Sequence, residues 1–228
     1  EINIVLVVKN ETAINHGVNE PWKMTRLTWL NSTMAQANTV IAPYTPLIVS
    51  GNTISLLGRK VMLDDNGLPK QIQTFFTPEM TGYQSQANNL LEEAIHFHFT
   101  KASDSKDMQM KKGGVKFTLR QPGTVQWTSV NTSDELKMEV EGSLEFDGFV
   151  SYQIKVTALQ DIDLSNITMH IPFEKNEAKY IMGLGLKGEK RPDSVLWKWD
   201  VANKNQDGAW IGNVNAGLHY SLRDQNYV

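Results

Sequence analysis

Cysteine is absent from all 228 residues of this sequence. Disulfide bonds, thiolate metal sites and cysteine nucleophiles are therefore excluded, although the compartment is not fixed, because many secreted bacterial proteins also lack cysteine. An excess of basic residues is absent as well, since 22 Lys and Arg stand against 25 Asp and Glu and the formal net charge is −3. We expect no nucleic acid partner, because the long-range attraction that such binding needs is missing.

Long hydrophobic runs and the common enzyme signatures are also missing. The longest apolar run, residues 4–8, is far short of the roughly 20 residues that cross a bilayer, so we expect no membrane span. There is no Ser/His/Asp order, no phosphate-binding loop and no HExxH motif. Gly183, Gly185 and Gly188 follow a strand pattern without a helix after them, so they suit a bulge or a close backbone approach and not a dinucleotide site. We assign no cofactor.

Alternation of apolar and polar residues is what the sequence does contain. Residues 150–156 place their apolar side chains on one face, with the period of a half-buried strand. A second alternating run, residues 167–171, ends at Pro172, which cannot donate to a sheet. The two runs predict neighbouring strands of a meander.

Turn residues separate further strand-like segments. Asn66-Gly67 between segments 53–63 and 71–76 predicts a hairpin, because both turn residues tolerate positive φ. Pro122-Gly123 predicts another.

These patterns together predict an all-β fold. We expect a large antiparallel two-sheet sandwich that forms a single domain over residues 1–228, with a closed barrel as the alternative. Only residues 21–37 carry a helical hint, so at most one short helix is expected. Because strand-like segments lie close to both ends, we expect the chain to be a fragment of a longer multidomain protein.

Tryptophans in the last part of the sequence indicate a carbohydrate site. The candidate residues are Trp197, Trp199 and Trp210 together with Arg191, Asp200 and Asp207. Aromatic faces can stack on the C–H face of a sugar ring, while guanidinium and carboxylate groups bond to its hydroxyls. Trp197 and Trp199 share one strand face, however, and such pairs are more often core between two sheets, so both interpretations stay open.

Two histidines have a spacing that metal ligands could use. His96 and His98 lie two apart on a predicted strand and therefore project the same way. No third ligand is visible nearby in the sequence, and an exposed strand face is the commoner explanation. We assign no metal.

Two carboxylates have a spacing that a glycosidase could use. Glu145 and Asp147 would lie about 6–7 Å apart on one strand face, near the separation of glycosidase carboxylate pairs. Adjacent solvated carboxylates are far commoner. With Asp200 and His170 they are the candidates for an acid–base pair of the chain's own, and we assign no catalytic residue.

Several stretches carry a family resemblance. They are PW at 21–22, TRLTWLNS at 25–32, ISLLGR at 54–59, NGLP at 66–69, FDG at 146–148, YIMGLG at 180–185, WKWD at 197–200 and WIGNVNAGL at 210–218. Together they resemble the N-terminal β-sandwich region of large glycoside hydrolases of saccharolytic Gram-negative bacteria, a group similar to glycoside hydrolase family 123.

The resemblance implies a galactose-mutarotase-like sandwich placed ahead of a catalytic barrel that this chain does not include. It implies a noncatalytic module of a secreted, periplasmic or extracellular polysaccharide-degrading enzyme, which packs against the downstream catalytic domain and lines its cleft for an oligo- or polysaccharide. An autonomous carbohydrate-binding domain is the first alternative, and a sugar-active sandwich enzyme with its own acid–base site is the second. No catalytic residue is carried over.

Overall fold

The computed structural model describes residues 7–8, 10, 12, 38–198, 200 and 208–222. The helical hint at 21–37 lies outside the described residues. The chain divides into two compact units, Glu1–Thr39 and Val40–Val228, and the architecture below belongs to the second. A single domain over the whole chain stays a prediction.

The described residues form strands and no helix, which confirms the all-β prediction. The strands are β1 Ile48–Ser50, β2 Thr53–Leu56, β3 Arg59–Leu63, β4 Pro69–Phe76, β5 Tyr83–Asn89, β6 His96–Lys101, β7 Lys116–Arg120, β8 Thr124–Thr132, β9 Leu136–Glu145, β10 Val150–Ala158, β11 Leu164–His170, β12 Tyr180–Gly183, β13 Leu186–Lys190, β14 Ala209–Gly212 and β15 Gly217–Tyr220. Within this part of the chain no helix is long and apolar enough to cross a membrane.

The strands assemble into antiparallel sheets that form two layers. One layer is a four-stranded sheet in the order β10-β9-β8-β7. The facing layer consists of a five-stranded sheet, β1 to β5 in sequence order, and of the β6–β11 pair. A further sheet, ordered β13-β12-β14-β15, is called here the β12–β15 sheet.

The first core lies between the β7–β10 sheet and the β1–β5 sheet. Its buried residues are Leu47, Ile54, Leu56, Val61, Leu63, Val125, Trp127 and Leu144. These come from alternate positions of strands in both sheets, so the inward-facing half of each alternating pattern meets the other across the sandwich. This packing confirms the two-sheet sandwich.

The second core lies between the other end of the β7–β10 sheet and the β6–β11 pair. Its buried residues are Leu68, Leu91, Ile95, Phe99, Met108, Leu136, Met138 and Val140. Leu164, Met169 and Ile171 pack against it from β11 and the residue after it. The apolar face of β11 is therefore partly buried, although Ile167 on it is 50% exposed, and the opposite face of this pair is left outward.

The predicted Asn66-Gly67 hairpin is confirmed, and its turn is buried between the layers. Gly67 has a φ of 88°. Asn66 Nδ2 donates to the Ile95 carbonyl at 3.0 Å, and its Oδ1 accepts from Leu68 N at 2.8 Å. Asn131 Nδ2 donates to the Asn66 carbonyl at 3.0 Å. These bonds satisfy polar groups that would otherwise be costly inside the sandwich.

Two predictions about strand pairing are wrong. β11 does not follow β10 in a meander but pairs with β6, with His170 opposite His96. Alternation fixes which side chains share a face, whereas the partner is chosen by the core that buries the apolar face. The segment 53–63 is also two strands and not one, because Leu57-Gly58 turns the chain and Gly58 has a φ of 61°.

Two smaller predictions are confirmed. The Pro122-Gly123 turn joins β7 and β8, which pair antiparallel. At Gly183 the strand register shifts, and a Cβ there would collide with the Gly208 carbonyl oxygen. Gly183 therefore allows the bulge and the close backbone approach that its sequence context indicated.

Candidate functional site

The outer face of the β12–β15 sheet carries exposed side chains. Its inner face buries Ile181 and Ala209, and the alternate residues point the other way. Met182 pairs with Trp210, so their side chains share the outer face. Met182 is 54% exposed and Tyr180, two positions earlier, is 41% exposed.

Trp210 is the centre of this outer face. A Cβ on Gly217 would lie 2.6 Å from Trp210 Cε2, and a Cβ on Gly212 would lie 2.7 Å from Cζ2, so the indole lies directly over both glycines. On β15, His219 is the pairing partner of Trp210, and His219 is exposed. We name this group, Tyr180, Met182, Trp210 and His219, the aromatic face. It offers a flat apolar surface with a polar edge.

Arg191 directly follows β13 of the same sheet and has a structural role. Its backbone N donates to the Lys179 carbonyl at 2.9 Å, just before β12 begins. Its side-chain Nε donates to the Ala178 carbonyl at 2.9 Å, and Nη1 donates to the Pro192 carbonyl at 3.0 Å. The guanidinium therefore anchors the chain where it leaves β13.

The remaining candidates for the sugar site fall in the segment that follows. Trp197 and Asp200 are half-buried, and Leu196 between them and β13 is 99% exposed. Trp199 and Asp207 lie outside the described residues. The six-residue sugar site therefore stays a prediction, with Trp210 on β14 and Arg191 directly after β13 of the same sheet.

One carboxyl group near the sheet is perturbed. Asn213 Nδ2 donates to Glu177 Oε2, and Asn213 Oδ1 accepts from Ala216 N at 3.1 Å in the β14–β15 turn. Burial raises the pKa of Glu177, while Lys179 lowers it and Glu174 raises it. This contact ties the turn of the aromatic face to the segment before β12.

Three histidines converge on the outward face of the β6–β11 pair. His96 and His98 come from alternate positions of β6, and His170 lies opposite His96 on β11. One ring nitrogen of each lies within 4.8 Å of the others. The ring centroids of His98 and His170 are 4.5 Å apart, and those of His96 and His170 are 5.3 Å apart. We name these residues the histidine cluster.

Two of the three rings are held by hydrogen bonds on their far side. His96 Nδ1 donates to the Ala94 carbonyl at 2.8 Å, and His98 Nδ1 donates to Asp107 Oδ2 at 2.6 Å. Asp107 is itself fixed, since its Oδ1 accepts from Phe99 N at 2.9 Å. The two Nε2 atoms then face each other at 3.0 Å.

The histidine cluster adds a third potential ligand to the pair formed by His96 and His98 in the sequence. The third potential ligand that the sequence did not reveal is His170, a residue considered there only for acid–base catalysis. The sequence did contain a signal for His170, because this residue lies on the polar face of an alternating run. The pairing of β11 with β6 was the missing information, and local patterns do not contain it.

The carboxylate pair does not have its predicted geometry. Glu145 is the last residue of β9, and Asp147 lies in the turn to β10 and not on the strand face. Asp147 Oδ1 accepts from Phe149 N at 2.8 Å, and its carbonyl accepts from Arg59 Nη2 at 2.9 Å. Asp147 therefore stabilises a turn, because Asp side chains bond readily to backbone amides two residues on.

A polar groove of about 490 Å³ lies beside the histidine cluster, and Asp107 is on its wall. The Lys101–Glu135 ion pair, with 2.6 Å between Nζ and Oε2, crosses one side of it. Among the residues that the structure describes, its lining contains no aromatic ring. It therefore offers hydrogen bonds but not the stacking surface that the aromatic face has.

Comparison with known protein families decides the affiliation. Residues 47–228 match the family model described as glycoside hydrolase 123, third domain. The chain belongs to this family. No curated protein matches it.

The glycoside hydrolase 123 affiliation confirms the resemblance stated from the sequence motifs. The matched residues begin at Leu47, just before β1, and include both cores, the aromatic face and the histidine cluster. The family description calls the region a third domain, whereas the resemblance was to an N-terminal region.

Proposed function

We propose that the chain is a noncatalytic β-sandwich module of a polysaccharide-degrading glycoside hydrolase. It packs against the catalytic domain of the same polypeptide, which the sequence resemblance places downstream, and lines its substrate cleft. The enzyme works in the periplasm or outside the cell, on an oligo- or polysaccharide. The family match supports the glycoside hydrolase part of this proposal, since the matched model describes one domain of a larger enzyme.

The aromatic face is the observation that carries the proposal. Trp210 is seated on two glycines and is half-buried, and the exposed Tyr180 and Met182 extend the apolar surface. A ring held in this way loses little side-chain freedom on contact, which favours stacking against a sugar. The displaced geometry of Glu145 and Asp147 supports a module without its own carboxylate pair.

Trp210→Ala in the full-length parent enzyme tests the role of this face. We expect kcat/KM on the polysaccharide to fall about tenfold, because a lost stacking contact of about 1.4 kcal/mol corresponds to that factor. The kcat/KM on a small aryl glycoside, which does not reach a remote subsite, should change by less than about twofold.

Phe149→Ala is the matched control, since Phe149 is an exposed aromatic residue in the β9–β10 turn. It should leave both rates unchanged. Equal losses on both substrates in Trp210→Ala, or a loss in Phe149→Ala of the same size, would contradict the proposal.

An autonomous carbohydrate-binding domain is the second candidate, and the half-buried Trp210 with its exposed neighbours favours it as well. Calorimetric titration of the isolated chain with a panel of oligosaccharides separates the two. Measurable affinity that Trp210→Ala removes supports the binding domain, and its absence supports a module that needs the neighbouring catalytic domain. Turnover of aryl glycosides by the isolated chain would overturn both in favour of a sugar-active sandwich enzyme.

A further inference from the structure

We propose that His96, His98 and His170 form a binding site for one divalent transition-metal cation of the Zn²⁺ class. Imidazole nitrogen is a ligand of choice for Zn²⁺, and three histidines with a fourth, open position form a known type of zinc site. The proposal concerns the β6–β11 pair and does not depend on the aromatic face or on the proposed function.

The hydrogen bonds on the Nδ1 side determine where the ring protons are. The Ala94 carbonyl can only accept, so His96 carries its proton on Nδ1. The Asp107 carboxylate also accepts, so His98 carries its proton on Nδ1 as well. In the neutral rings both Nε2 atoms then present lone pairs, and these face each other at 3.0 Å.

Two lone pairs at this distance repel unless something positive lies between them. A proton shared by the two rings is one solution, and it requires one ring to be charged. A cation is the other, and it explains why a third imidazole is present at the same point. His170 would have no function in a two-ring proton bridge, yet its ligand nitrogen lies within 4.8 Å of both others.

The distances suit a tetrahedral ion after small side-chain adjustments. Zn–N bonds of about 2.0–2.1 Å place ligand nitrogens about 3.4 Å apart. The His96–His98 pair is slightly closer than this, at 3.0 Å between Nε2 atoms. The side chain of His98 is 37% exposed and His170 is exposed, so a water molecule can reach the fourth position.

The surroundings of the cluster have the features of a metal site. Ligating histidines usually donate their other ring N–H to a carboxylate or a backbone carbonyl, and both types of partner occur here. The ion would join β11 to β6 across the His96–His170 pair. A two-stranded sheet is marginally stable by itself, so such a link would stabilise this part of the second layer.

Equilibrium dialysis of the chain, prepared without a histidine tag, against ZnCl₂ is the primary test. We expect one Zn²⁺ per chain with a dissociation constant of about 1 μM or below. Zinc at about 100 times that constant should raise the melting temperature by about 5–10 °C. Co²⁺ should give the visible absorption of a tetrahedral ion.

Variants of the histidines on both strands, and of Asp107, which bonds to His98, identify the ligands. Asp107→Asn should weaken binding about 10- to 100-fold, because it removes the charge that orients His98. His170→Ala and His98→Ala should weaken it by about 100-fold or more, since losing a ligand costs more than losing an orienting partner. His219 is an exposed histidine of the aromatic face, so His219→Ala is the matched control and should bind zinc as the unsubstituted chain does.

Nitrogen NMR of the histidine rings gives signals that would not change if the cluster had only a structural role. Addition of zinc should shift the Nε2 resonances of His96 and His98 and leave both Nδ1 atoms protonated. No binding at about 100 μM zinc, or equal binding by His170→Ala and the parent chain, would overturn the proposal. So would a proton that stays between the two Nε2 atoms in excess zinc.

Discussion

Two tryptophans in this protein lie over glycines of neighbouring strands, one in the core and one on an open surface. Trp127 pairs with Gly142, where an added Cβ would collide with the indole. Trp210 covers Gly217 in the same way on the β12–β15 sheet. Trp127 is 1% exposed and its Nε1 donates to the Gly67 carbonyl at 2.8 Å, whereas Trp210 is half-buried beside exposed neighbours.

The comparison shows that a ring seated on glycine is not by itself a sign of core or of binding site. The decisive difference is whether the opposite layer covers the ring. The β1–β5 sheet covers Trp127, so its burial and its hydrogen bond contribute to folding. The neighbours of Trp210 on the outer face, Met182 and His219, are exposed, so its ring remains available for contact with another molecule.

Replacing each tryptophan is the strongest way to test this difference. Trp127→Ala should lower the free energy of unfolding by about 3–5 kcal/mol, because it empties a core position and leaves the Gly67 carbonyl without its donor. Trp210→Ala should lower it by less than about 1 kcal/mol. Urea unfolding followed by far-UV circular dichroism measures both. Similar losses in the two variants would show that the two environments are not different.

Gly142→Ala tests the core side of the comparison without removing any atoms. The added methyl group must displace the Trp127 indole, which also packs edge to ring with Tyr152 at 5.8 Å between centroids. Overpacking of this kind should cost about 1–3 kcal/mol of unfolding free energy. Ser143→Ala, on the opposite face of β9, is the matched control and should change stability by about 0.5 kcal/mol at most. A stable Gly142→Ala variant would mean that the core can absorb the extra volume.

Local signals in the sequence were sufficient for much of the fold. Asn66-Gly67 and Pro122-Gly123 mark real turns, because positive φ and a fixed proline φ are properties of single residues. Alternation over 150–156 identified β10 for the same reason. The pairing of β11 with β6 was not predictable, because it depends on which core buries the apolar face of β11.

The candidate sites were likewise predictable from the sequence only where they depend on local patterns. Alternation distinguishes the face of Trp210 from that of Ile211, but only the assembled layers show which face is covered. His96 and His98 are visible as a pair in the sequence, while His170 reaches them through a contact between distant strands. Asp147 was misplaced because the strand was extended through a turn that its own side chain helps to form.

Gly217→Ala is the mildest change and the sharpest test of the surface side. The new methyl group would meet the Trp210 indole as in Gly142→Ala, but this ring can move outward because its neighbours Met182 and His219 are exposed. We expect a loss of less than about 1 kcal/mol in unfolding free energy, with a shifted indole N–H resonance of Trp210 in the NMR spectrum. A loss as large as that of Gly142→Ala would mean that Trp210 cannot yield. The aromatic face would then be packed like a core. We would abandon the proposal that it contacts a sugar or a catalytic domain.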